Sequence, residues 1–102
     1  METVKTRIYK GREGWTGEST ITNVNGYDWE IMTYKSSGGI ISTAQSGQKT
    51  ENGFSYMMFT NPSVRLVHER VRATEKSVTE IHKKGVMWFA QLHKSGELPK
   101  KK

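Results

Sequence analysis

Asn25-Gly26 separates two runs of strand-forming residues, and this dipeptide leaves the chain around it few choices. A two-residue type I′ turn needs positive φ at both central positions, which Asn and Gly tolerate best. The flanking runs must then pair antiparallel. After the turn, residues 27–35 alternate: Tyr27, Trp29, Ile31 and Thr33 share one face, and Asp28, Glu30, Met32 and Tyr34 the other. Before it, residues 19–24 are rich in Thr, Ile and Val, which favour strands.

Other segments extend the pattern. Residues 3–10 read as a strand with Val4, Thr6 and Ile8 on one side and Lys5, Arg7 and Tyr9 on the other. Gly11, Gly14 and Gly17 mark a loop that holds Trp15. The turn 36–39 leads to a short strand at 40–44, and the polar stretch 45–53 (QSGQKTENG) reads as a wide turn or loop. Residues 54–60 form a further strand. Their Tyr56-Met57-Met58-Phe59 run is apolar on both faces, which predicts a central strand covered on both sides. Residues 64–72 fit a helix begun by Asn61 and Pro62, but Val64, Val67 and Val71 among charges favour an edge strand.

The last long segment has a different period. Val78, Ile81, Gly85, Trp88 and Leu92 recur at spacings of three and four, which predicts a helix from Glu75 to Lys94 capped by Thr74. Gly85 falls on the apolar stripe, which implies close approach to a sheet, and Gly96 suits a left-handed end cap. The expected fold is α+β: an antiparallel β-meander of five or six strands with one C-terminal helix packed on a face. At 102 residues the chain suits a single domain, expected over 1–96 with 97–102 as a disordered basic tail.

Composition narrows the chemistry. Without cysteine there are no disulfides, thiol nucleophiles or thiolate metal sites. No apolar run approaches the ~20 residues that span a bilayer, and residues 1–20 lack the apolar stretch of a signal peptide. The expectation is a cytoplasmic protein with no membrane partner. His82 and His93 lie eleven residues apart on the helix, roughly 16 Å, too far to share a metal ion, and His68 is remote in sequence. All three read as structural. No nucleophile motif and no phosphate-binding glycine loop occurs, so neither catalysis nor a cofactor is expected.

The net charge of +6 is concentrated at the two ends, with the middle mildly acidic. Such a field attracts polyanions. Lys5, Arg7, Tyr9, Arg12 and Trp15 near the start, with Arg65, Arg70 and Arg72 before the helix, combine cations for phosphates with rings for bases. They point to nucleic acid, single-stranded above all, as the partner. The competing reading is a protein-interaction module, an adaptor or a homodimer, using an edge strand or the outer helix face. There Lys76, Lys83 and Lys94 align around Met87, with Trp88 at the margin. An acidic protein or a second copy would then be the partner.

Overall fold

The computed structural model describes residues 2–10, 16–36, 39–65 and 75–99. Strands β1 (Glu2–Lys10), β2 (Thr16–Val24), β3 (Tyr27–Ser36), β4 (Gly39–Thr50) and β5 (Gly53–Thr60) are followed by a short helix α1 (Pro62–Arg65) and a long helix α2 (Glu75–Lys94). The strands hydrogen-bond in the order β1-β2-β3-β4-β5, each antiparallel to its neighbour. The α+β class, the antiparallel sheet and the C-terminal helix are as the sequence implies. Asn25 and Gly26 have φ of 56° and 87°, the positive pair that their turn requires.

Alternation decides which face is buried. Thr20, Thr22 and Val24 of β2 pair with Ile31, Trp29 and Tyr27 of β3, and Trp29, Ile31 and Thr33 pair in turn with Ser46, Ala44 and Ser42 of β4. All of these are buried. Helix α2 lies on this face, across β2, β3 and β4. Trp29, fully buried, has its ring 5.5 Å from that of Phe89 on α2 and 5.9 Å from that of Phe59 on β5. A second cluster joins Ile40, Val64, Val78 and Ile81 where α1 meets β4 and α2.

Gly85 does what its position on the stripe implies. A Cβ there would overlap Ser42 Oγ and lie 3.0 Å from Ser42 Cβ, so the helix backbone comes down directly on β4.

Four expectations need correction. The stretch 45–53 is not a loop: β4 runs unbroken to Thr50, and only Glu51 and Asn52 turn. Pairing with β3 as far as Ser46 and with β5 as far as Thr50 overrides the weak strand preference of its polar residues. Among the described residues strand β5 is not central but lies at the sheet edge, with Tyr56 and Met58 exposed. Residues 64 and 65 belong to α1, so a strand does not begin there. Asn61 begins that helix: its Oδ1 accepts from Ser63 N–H at 3.1 Å and from Ser63 Oγ at 2.6 Å. Residues 66–72 of that expected strand, and Thr74, lie outside the described residues.

The fourth correction is at the C-terminus, where packing continues past Gly96. Leu98 is 3% exposed and joins the cluster around Trp29, while Glu97 N–H donates to the Leu92 carbonyl at 3.1 Å. Residues 97–99 are therefore tied to the core through this leucine, and 100–102 of the expected tail lie outside the described residues.

Candidate nucleic-acid interface

With α2 on one face, the other face of the sheet carries no described element. Register sets its rows. Position 9 of β1 stands opposite Gly17, which faces Tyr34, which faces Ile41. The next row runs from position 7 through Ser19, Met32 and Thr43 to Thr60, and the next from position 5 through Ile21, Glu30 and Gln45 to Met58. Positions 5, 7 and 9 of β1 are thus in register with these rows.

Across this face Ser19 and Thr43 are buried, Ile21, Met32, Tyr34 and Ile41 are half-buried, and Tyr56 and Met58 are 74% and 65% exposed. Tyr56 lies against Gly47, whose missing side chain makes room: a Cβ there would be 3.3 Å from the ring. The acids of this face are engaged by amides. Asn23 Nδ2 donates to Asp28 Oδ1 at 2.9 Å, and Gln45 Nε2 donates to Glu30 Oε1 at 3.3 Å. An uncovered sheet with rings, thioethers and aliphatic side chains between strands is a surface for flat apolar groups.

The other proposed nucleic-acid residues do not gather here. Arg65 lies on α1, which packs against β4 and α2 on the covered side. Arg12, Trp15, Arg70 and Arg72 are outside the described residues. Tyr34, Met32, Tyr56 and Met58 were missed as surface residues. Alternation grouped Met32 with Tyr34 correctly, but only the position of α2 tells which face is left open.

The helix residues are where the pattern puts them. Lys76, Lys83 and Lys94 are exposed, and Met87 is 65% exposed. Trp88 is half-buried and, with Met87, Val64, Ile81, Lys84 and Gln91, lines a cleft of about 430 Å³ between α1 and α2.

His82 is fully internal, 2% exposed. Its Nε2 is 2.7 Å from Thr20 Oγ1 and its Nδ1 2.9 Å from Thr33 Oγ1, which is 3.0 Å from Ser42 Oγ. Burial lowers its pKa to about 4, so the ring is neutral at pH 7. Both ring nitrogens are taken up by the sheet, so this histidine ties α2 to β2 and β3 and is not available to a ligand. Among the described residues no group of three or more His, Asp or Glu is placed to hold a metal ion, and no helix is long and apolar enough to cross a membrane.

Compared with family models, with curated proteins and with solved structures, the chain matches none.

Proposed function

We propose that this is a non-enzymatic, cytoplasmic binding protein that takes single-stranded nucleic acid on the uncovered face of its sheet. The observation that carries the reading is that face itself: one side of the sheet is sealed by α2, while the other holds Tyr34, Tyr56, Met32 and Met58. Strand β1, with Lys5, Arg7 and Tyr9 in sequence, is in register beside them. Bases stack on rings and thioethers, and each stacked base contributes roughly 1–3 kcal/mol. The net charge of +6 supplies the attraction for phosphates.

The test is the affinity for a labelled single-stranded oligonucleotide at low and moderate salt. Binding should weaken steeply with salt, Arg7→Ala should reduce the salt slope by about one, and Tyr56→Ala should weaken binding about fivefold or more. Tyr56 is exposed, so its replacement leaves the fold intact. No binding at low salt, or variants that bind like the parent, overturns the reading.

A second reading has its own observation. Met87 stands exposed beside Trp88 in the cleft between α1 and α2, a setting suited to an apolar side chain from a protein partner, with Lys84 at hand for an acid. Such a contact would depend little on salt and would fail in Met87→Lys.

A further inference from the structure

We infer that the cleft between α1 and α2 is a binding site for a small carboxylic acid with an apolar body. Its walls grade from core to surface: Val64 and Ile81 are buried, Trp88 is half-buried and Met87 is exposed. Two polar side chains break this apolar lining. Lys84 is exposed and, among the described residues of the cleft, alone carries charge. Asn61 is only 5% exposed. Its Oδ1 accepts from the Ser63 N–H and from Ser63 Oγ, whereas its Nδ2 has no partner among the described residues. The amide cannot be turned over, because only its oxygen accepts from the Ser63 N–H. A donor held in so buried a side chain favours an acceptor that comes into the cleft.

The ligand's chemistry follows from this combination of walls and donors. An ammonium and an amide N–H both bind oxygen acceptors, and the ammonium selects a negative one. A carboxylate accepts from both and brings one charge for the one cation. A phosphate fits less well, since it carries further charge that no described lining residue meets. The thioether of Met87 and the indole of Trp88 suit an apolar group. At about 430 Å³ the cleft is within the range of roughly 300–1,000 Å³ in which small-ligand sites fall. A free acid brings anion and apolar body in one molecule. No single side chain of a partner protein does so, because aspartate and glutamate lack the body and the apolar residues lack the charge. This inference stands apart from the nucleic-acid reading, since the cleft lies on the covered layer and not on the open face.

The experiment is an NMR titration of the full chain with four probes: hydrocinnamate, its neutral amide, acetate, and N-acetylphenylalaninamide as the mimic of a protein side chain. Hydrocinnamate should shift, saturably, the Trp88 indole N–H, the Met87 methyl group and the Asn61 side-chain amide. The other three should each bind about tenfold or more weakly, because each lacks either the charge or the body. Lys84→Met, at an exposed position, should weaken hydrocinnamate by about tenfold as well. Asn61→Asp keeps the oxygen that accepts from Ser63 but replaces the donor with an anion, and should abolish binding. Far-UV circular dichroism checks the fold of both variants; should Asn61→Asp unfold, Lys84→Met alone decides. No shift in the cleft with millimolar hydrocinnamate overturns the inference. So does a neutral probe that binds as tightly as the acid, or an affinity indifferent to Lys84→Met.

Discussion

His82 is the residue on which the two layers of the molecule most visibly depend. Its neutral ring meets a hydroxyl on each side, from Thr20 and Thr33, and Thr33 extends the contact to Ser42. Because burial holds its pKa near 4 against 6.5 in an open chain, the unfolded state binds the proton more readily between those values. Stability from this residue is full above pH 6.5 and falls as pH drops toward 4, by on the order of 3 kcal/mol. Urea unfolding at several pH values should show this slope, and His82→Asn should flatten it. An unchanged slope would mean that the ring is not the group titrating. Beside it, Gly85→Ala sets a propensity gain of roughly 1 kcal/mol against overlap with Ser42. The overlap wins: a net loss of about 1–3 kcal/mol is expected, partly recovered when Ser42→Ala is added, a coupling that a double-mutant cycle measures.

At the scale of elements, what the sequence made legible depended on where its periodicity was unambiguous. Helix α2 could be bounded from Val78, Ile81, Gly85, Trp88 and Leu92 because five positions agree on one stripe. Strand β3 could be oriented because Tyr27, Trp29 and Ile31 alternate with Asp28 and Glu30. The second half of β4 could not, since Gln45, Gly47, Gln48 and Lys49 have no apolar alternation and are strand only because neighbours pair with them. β5 misled for the opposite reason: Met57 and Met58 look buried on both faces, and their edge position is a property of strand order. The inner face escaped notice as well, because Thr20, Thr22, Thr33, Ser42 and Ser46 are residues usually found outside. The segment after α2 gives a direct check. Leu98→Ala should cost about 2–3 kcal/mol in chemical denaturation, since it empties a filled site in the Trp29 cluster. A loss near zero would return 97–99 to the role of a tail.

The whole molecule has one asymmetry among its described residues: a sheet sealed by a helix on one side and covered by no element on the other. Of the residues proposed for binding, β1 brings positions 5, 7 and 9 into register with the open side, whereas position 65 travels with α1 to the covered side. That division was not readable in the sequence, because position 65 belongs to α1, whose placement depends on tertiary packing of Val64, while 70 and 72 lie outside the described residues. The open face and the α2 cleft lie on opposite layers, so their ligands are separable by position. The most direct measurement is a backbone amide NMR titration with a short single-stranded oligonucleotide at two salt concentrations. Salt-sensitive shifts grouped on β1, Ile21, Met32–Tyr34, Ile41 and Tyr56–Met58, with α2 silent, are the result this account predicts. Shifts confined to α2, or none at either salt, would contradict it.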